Sequence, residues 1–378
     1  MHVLILSCNT GGGHNSAGAA VLEALRARGH TGEVVDFLSL AGKKVSERVS
    51  GLYVGMVKNV PAVFGVTYGV GRAVSTAEHK LGVRSPVYAA CAQVIPGLKA
   101  YLHNHPCDAV VAPHTFPALA LTEMKRQGIP LPLTVAVATD YTCTPFFEEE
   151  DCDYTLIPSA LCIDEFIRRG FPREKLVPMG IPVSQGFQHR LGQAASRELL
   201  GLGADGRWIL IMGGSMGAGH ISQLVWCLLY LAPADVRVAV ICGSNQKLYR
   251  GLVRKYKNDP RVHITGQTDQ VARYMEACDL FYTKPGGITS TEAAVMGVPM
   301  VHMKPIPGCE SRNRKLFTKS GMSVSAGNVL SQAVRGVRLL GDSERCAEMV
   351  SAQRSQAAAD AAGTIARFLE EHAEGVPR

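Results

Sequence analysis

His14 closes the run Asn9-Thr10-Gly11-Gly12-Gly13-His14, directly after an apolar stretch at the start of the chain. Glycines let a backbone approach a ligand closely, and an imidazole of ordinary pKa about 6.5 suits deprotonation of a hydroxyl near neutral pH. The same residues also fit a tight turn in which His14 is a polar residue at a helix start, and spacing alone does not separate the two. A second candidate in this half is Asp140, in Thr139-Asp140-Tyr141 at the end of another apolar run. It reads either as an orienting acid or base or as a turn aspartate.

Two more glycine turns follow apolar runs. In Gly213-Gly214-Ser215-Met216-Gly217-Ala218-Gly219-His220, backbone N–H groups at a helix start could hold an anion such as a diphosphate. The run is neither G-x-x-x-x-G-K-[ST] nor a proper G-x-G-x-x-G. That disfavours a P-loop kinase and weakens a nicotinamide-dependent oxidoreductase. The other turn is Thr283-Lys284-Pro285-Gly286-Gly287-Ile288-Thr289-Ser290-Thr291-Glu292-Ala293. It sets a glycine pair after a strand, hydroxyls over a helix N-terminus, and a carboxylate one turn in. Glu292 could accept from both hydroxyls of a ribose. The structural alternative is a capping box in which Thr289 and Glu292 satisfy each other's backbone donors.

No metal site is expected. Asp151-Cys152-Asp153 has a D-x-D spacing that can hold a divalent cation, but it precedes a strand, and Glu148–Glu150 beside it predict a solvated loop. The eleven cysteines are scattered, odd in number and without a C-x-x-C pair. Reduced core thiols explain them better than disulfides or zinc.

The net charge of +7 is concentrated: eight cations against two anions lie between Lys43 and His103, among Leu52, Tyr53, Val57, Phe64, Tyr68 and Tyr88. Such a mixture reads either as a surface that docks on an anionic membrane or as a solvated face packed over a core. No nucleic-acid motif accompanies it, so nucleic acid is not an expected partner. No apolar run approaches the roughly 20 residues of a membrane-spanning helix. The opening MHVLILSC has no basic start and stops at the glycine turn, so it reads as a buried first strand and not a signal peptide.

These residues need elements to hold them. Continuous short apolar runs at 2–7, 108–113, 133–139, 154–158, 208–213, 236–242, 279–283 and 300–303 read as parallel strands buried on both faces. Helical patterns fall between them; Ala17, Ala20, Val21, Ala24 and Leu25 mark one face, closed by Gly29. The pattern restarts near residue 207, after a linker candidate at 180–206. Residues from about Ser343 to Glu371 read as helical. Strand–helix alternation predicts an α/β fold of two Rossmann-like halves facing a central cleft.

With NTGGGH, GGSMG, TKPGGITSTEA and PIPGCESRN in this order, residues 1–325 resemble the monogalactosyldiacylglycerol synthase and processive diacylglycerol glucosyltransferase family. More distantly they are similar to the peptidoglycan enzyme that adds N-acetylglucosamine to lipid I. The resemblance implies a GT-B fold: an acceptor- and membrane-facing domain at 1–185, a nucleotide-sugar domain at 186–345, and a C-terminal helix at 346–378 crossing back to the first. It implies an inverting, metal-independent transfer of a hexosyl group from a UDP-sugar to diacylglycerol or a glycosyl-diacylglycerol, with no cofactor. A cytoplasmic enzyme, peripheral to the inner face of the cell membrane, follows.

Carried over by motif, His14 activates the acceptor hydroxyl beside Gly12 and Gly13. Gly214, Ser215, Met216 and Gly217 cradle the diphosphate. Gly286, Gly287, Ile288 and Thr289 approach the nucleotide and phosphates, Glu292 holds the ribose, and Glu310 and Asn313 contact donor. One position departs from the family: Cys309 stands where P-G-Q-E has a glutamine that reaches sugar hydroxyls, which leaves the donor sugar open. The rival readings are a polyprenyl-linked or cell-wall acceptor on the same fold, and a catalytically silent nucleotide-sugar or lipid-binding module.

Overall fold

The computed structural model describes residues 1–9, 12–42 and 84–373. Most of the basic segment, including Lys43, Lys44, Arg48, Lys58, Arg72 and Lys80, lies outside the described residues. The chain divides into two compact units. The first holds Met1–Gln185 and everything from Asp360 on, and the second holds Gly186–Ala359, apart from Pro307–Cys309, which groups with the first.

In the first unit β1 (His2–Ser7) passes through the glycine turn into α1 (Gly12–Ala27) and then β2 (Thr31–Asp36). Later come α2 (Pro86–Ala92), α3 (Ile95–Asn104), β3 (Ala109–Ala112), α4 (Thr115–Arg126), β4 (Leu133–Val137), β5 (Tyr154–Ile157), α5 (Ile163–Arg168) and β6 (Leu176–Pro178). The strands form one parallel sheet in the order β2-β1-β3-β4-β5-β6. The winding direction reverses between β1 and β3, where Val3 lies across from Ala109. In open α/β sheets, ligands bind outside the carboxyl ends of strands at such a reversal. The turn carrying His14 and the turn after β3 are therefore brought together by topology.

The second unit contains α6 (Gln193–Leu199), β7 (Arg207–Met212), α7 (Ile221–Leu231), β8 (Val236–Ile241), α8 (Gln246–Tyr256), β9 (Val262–Thr265) and α9 (Val271–Ala277). It continues with β10 (Leu280–Thr283), α10 (Gly287–Met296), β11 (Met300–His302), α11 (Cys309–Lys319), β12 (Val324–Ser325), α12 (Val329–Leu340) and α13 (Ser343–Gln356). Its parallel sheet runs β12-β11-β10-β7-β8-β9. The reversal lies between β7 and β10, with Thr283 across from Met212. That register sets the second and third glycine turns side by side.

The C-terminal region is two helices where the sequence reads as one. Gln353 anchors α13 in the second unit, donating through Nε2 to the carbonyls of Val298 (3.0 Å) and Met322 (2.9 Å). The helix stops before Ala357, and Asp360 starts α14 (Ala361–Ala373) by accepting from the Gly363 amide at 3.0 Å. Helix α14 belongs to the first unit. Its Ala362, Ile365, Ala366 and Leu369 pack in the same core as Ala20, Val21, Ala24 and Leu25 of α1. At the rim Glu370 pairs with Arg28 and with His30, each at 2.6 Å.

Two expectations are corrected. The stretch 180–206 is not linker throughout, because α6 is tied into the second unit: Ser196 Oγ donates to Glu276 at 2.8 Å and Arg197 pairs with Asp279 at 2.8 Å. Glu148–Glu150 do not form a solvated loop, since all three are buried. Each carboxylate has a partner that offsets part of the cost of its burial: Arg169 for Glu148 (3.0 Å), the Ser85 amide for Glu149 (2.9 Å), and the Cys152 amide (2.8 Å) with Thr155 for Glu150.

Candidate functional site

The candidate site of the first unit is built around His14, in the opening turn of α1. Its Nδ1 lies 2.8 Å from the Pro113 carbonyl oxygen at the end of β3 and 3.0 Å from Thr139 Oγ1, just past β4. A carbonyl only accepts, so Nδ1 carries the proton and Nε2 is left with a free lone pair. Nε2 has no partner among the described residues. Burial lowers the His14 pKa from its ordinary value, while the bond to Pro113 partly offsets this. The ring is therefore neutral at pH 7, as a base must be.

Sequence reasoning missed His114. It follows β3, and its ring packs edge-on against His14 with centroids 4.5 Å apart at 75°. Its Nδ1 accepts from the Phe116 amide at 3.1 Å, which caps α4 and fixes the opposite tautomer, with the proton on Nε2. Burial first, and the nearby His14 second, push its pKa well below the ordinary value. The available signal was a histidine at the carboxyl end of an interior strand beside the reversal.

A polar chain holds the turn behind His14. Ser7 Oγ donates to Asn15 Oδ1 (2.5 Å), Asn15 Nδ2 to Asn9 Oδ1 (2.7 Å), and Asn9 Nδ2 to Asp36 Oδ2 (3.0 Å). Gly12 and Gly13 form the first residues of α1, where the Gly12 carbonyl accepts from Ser16 Oγ at 2.9 Å. Asp140 is half-buried next to Thr139, but the groups on His14 Nδ1 are Pro113 and Thr139. A cavity of about 890 Å³ in this unit lies at the other end of the sheet. It is lined by Met1, Asp108 and Pro132, which precede β1, β3 and β4. His14 is not on it, and the carboxyl-end rule favours the His14 turn as the site.

In the second unit the turn after β7 needs its glycines. Gly214 has φ +72° and Gly217 φ +55°, and a Cβ on Gly217 would stand 2.1 Å from the Cys242 carbonyl oxygen. The Gly217 amide donates to Gly214 O at 3.0 Å. The amides of Gly214, Ser215 and Met216 have no acceptor among the described residues. Beside this turn a cavity of about 500 Å³ is lined by Gly219, His220, Met303, Lys304, Asn328 and Leu330.

The third turn resolves the capping alternative. Gly286 is the N-cap of α10, so Thr289 and Glu292 lie inside the helix and do not cap it. The Thr289 hydroxyl and the Glu292 carboxylate have no hydrogen-bond partner among the described residues. Burial raises the Glu292 pKa to about 7. Gly287 and Ile288 are buried in the first turn of α10.

Glu310 and Asn313, expected to contact donor, are engaged within the unit. Glu310 accepts from Lys284 Nζ through Oε1 and from the Ile306 amide through Oε2, each at 2.7 Å. Asn313 is fully buried, and its Nδ2 donates to the Pro285 carbonyl at 3.0 Å, shaping the glycine-pair loop from behind. His302, neutral with its pKa pushed by burial to about 3, bridges Ser290 Oγ and Ser323 Oγ at 3.0 Å each.

Among the described residues no group of three His, Cys, Asp or Glu could hold a metal ion, and no helix is long and apolar enough to cross a membrane. Asp151 pairs with Lys175, and Asp153 pairs with Lys125 at 2.9 Å and accepts from the Thr134 amide at 2.9 Å. The D-x-D thus pins β4 and β6 to their surroundings.

With this geometry in hand, comparisons with known proteins are informative. Residues 14–183 match the family described as monogalactosyldiacylglycerol (MGDG) synthase, and residues 229–356 match glycosyl transferases group 1. A processive diacylglycerol beta-glucosyltransferase of Bacillus mycoides is 28% identical over 282 residues, covering 73% of this chain and 71% of its own. Among solved structures, MurG of Acinetobacter baumannii superposes with a TM-score of 0.64 at 15% identity, covering 98% of this chain and 99% of its own. A UDP-GlcNAc 2-epimerase from Neisseria meningitidis, bound to UDP-GlcNAc, gives 0.63 at 14% identity, covering 98% and 100%. These two structures speak for the GT-B fold alone, since one fold carries both names.

Proposed function

We propose that this chain, whose residues 14–183 match the monogalactosyldiacylglycerol synthase family, moves a hexosyl group from a UDP-sugar to diacylglycerol or a glycosyl-diacylglycerol, with inversion. The observation that carries the donor side is Glu292. A partly buried carboxylate without a hydrogen-bond partner among the described residues, one turn into a helix beside two glycine turns, supports a ribose site. The free amides of Gly214, Ser215 and Met216 support a diphosphate site next to it.

His14 supplies the base. Its Nε2 takes the proton of the acceptor hydroxyl as that oxygen attacks the anomeric carbon from the face opposite UDP. The bond between the anomeric carbon and the β-phosphate oxygen breaks, and its electron pair leaves with UDP. Attack from the opposite face inverts the anomeric configuration. The acceptor class rests on the relatives' names, and the membrane-facing role rests on the cations and aromatics between Lys43 and His103. That segment brings the enzyme to the anionic inner face of the membrane. Replacing Lys43, Lys44, Arg48 and Lys58 with glutamine weakens co-sedimentation with anionic liposomes; unchanged co-sedimentation overturns the docking role.

The deciding experiment is a product assay. UDP-glucose, UDP-galactose and UDP-N-acetylglucosamine are each offered with diacylglycerol in anionic vesicles. A glycosylated diacylglycerol from one of them is the expected result. UDP binding without any glycolipid overturns the acceptor and directs the same assay to polyprenyl-linked substrates. Binding without product there as well leaves a silent nucleotide-sugar-binding module.

A further inference from the structure

We propose that Lys284 is the cation that binds the donor's diphosphate, with Glu310 as its positioning residue; the inference rests on the UDP-sugar reading above. Lys284 is the first residue past β10. Because Thr283 lies across from Met212, the β7–β10 register sets it alongside Gly213 and Gly214. Its Nζ is 3.8 Å, and its Cε 3.6 Å, from the point where a Cβ on Gly214 would stand. Nothing of Gly214's own side chain separates the ammonium from the turn whose amides lack acceptors.

The ammonium has donors to spare. One N–H goes to Glu310 Oε1 at 2.7 Å, and the Lys284 ammonium has no other hydrogen-bond partner among the described residues. An ammonium carries three donors, so two remain for phosphate oxygens. Glu310 is itself held by the Ile306 amide at 2.7 Å, and both side chains of the pair are only 11% exposed. A buried ammonium needs a partner to offset its desolvation, and Glu310 provides it and holds the side chain in place.

Such an arrangement would do the work that a divalent cation does on a nucleotide diphosphate. As the anomeric carbon–oxygen bond breaks, its electron pair settles on the β-phosphate oxygen. A preorganised cation at that point stabilises the charge as it develops. Lys284 and the amides of Gly214, Ser215 and Met216 together form that environment. The role is distinct from that of Glu292, which addresses the nucleoside.

The test is calorimetric titration of UDP and of uridine, in the presence of a chelator, against the wild type and two variants. Because Lys284→Met alone would strand a buried carboxylate, the neutral variant is the double Lys284→Met, Glu310→Gln. The second variant, Lys284→Arg, keeps the charge. The double variant loses about tenfold to a hundredfold in UDP affinity, the scale of a charged hydrogen bond. Its uridine affinity is unchanged, and Lys284→Arg retains most of the UDP affinity. If the double variant binds UDP as tightly as the wild type, Lys284 does not hold the diphosphate, and the donor site itself stands. If the wild type binds neither UDP nor uridine, the donor reading falls and takes this inference with it.

Discussion

The carbonyl oxygen of Pro113 lies 2.8 Å from Nδ1 of His14, and this contact decides which nitrogen of the ring is able to accept a proton. It fixes the proton on Nδ1 and leaves Nε2 as the acceptor. The contact is long-range in sequence, joining the turn after β1 to the end of β3. It exists because the sheet's winding reverses between those two strands.

On the proposed mechanism, His14→Ala removes the base and leaves the donor turns in place. Product formation falls about a hundredfold to ten-thousandfold, the usual contribution of a general base, while UDP affinity is unchanged. The pH profile adds a second check. A base works deprotonated, and burial lowers the His14 pKa below 6.5, so the acid limb of kcat/KM lies below pH 6.5. A limb centred at or above 6.5 would assign the base to another group.

Glu292 predicts a pH dependence of the opposite kind. Its carboxyl, raised to about 7, is neutral below that pH and ionised above it. Ribose hydroxyls donate best to the ionised form, so binding must expel a proton at low pH and UDP affinity falls as pH drops through 7. Glu292→Gln weakens UDP binding at pH 8, removes this slope, and makes UDP and 2′-deoxy-UDP bind alike. The same raised pKa costs the folded protein stability once pH exceeds the ordinary carboxyl value of about 4.5. Glu292→Gln accordingly raises the melting temperature at pH 8 and not at pH 4, which thermal melts at both pH values would read.

What the sequence made legible follows burial. The eight strands read from continuous apolar runs are β1, β3, β4, β5, β7, β8, β10 and β11, the interior strands of the two sheets. The four it missed, β2, β6, β9 and β12, are the four edges, and their burial is mixed or intermediate. Edge strands do not need apolar residues on both faces, so they leave no run to read. The site was legible where a glycine turn follows an interior strand. It was not legible where a residue's partner comes from a distant strand end, as with His114 beside His14 and Glu310 under Lys284. The buried carboxylates Glu148–Glu150 misled for the same reason, since charge in a sequence reads as solvent exposure until the partners are seen.

Helix α14 gives a stability prediction in which packing outweighs charge. Leu369 is fully buried against the α1 core, so Leu369→Ala costs about 2–5 kcal/mol. The ion pairs of Glu370 with Arg28 and His30 are solvent-accessible and screened, so Glu370→Gln changes stability less than Leu369→Ala does. Denaturant unfolding of both variants would check the order, and the reverse order would mean that α14 is held by its rim.

Cys309 bears on donor choice. It is the first residue of α11, immediately before the Glu310 that holds Lys284. The family resemblance implies a glutamine here that reaches sugar hydroxyls, and a thiol is too weak a donor and acceptor to replace an amide. Neither the proposed ribose carboxylate nor the proposed diphosphate turn depends on this side chain, so Cys309→Gln leaves UDP affinity unaltered. It changes the ratio of kcat/KM between UDP-glucose and UDP-galactose, which differ only in the orientation of one hydroxyl. A hydrogen bond gained to one of them and not the other is worth about 0.5–1.5 kcal/mol, a shift of roughly twofold to tenfold in that ratio. An unchanged ratio, measured with both donors at matched acceptor, would place sugar selection on other residues and make Cys309 a neutral replacement.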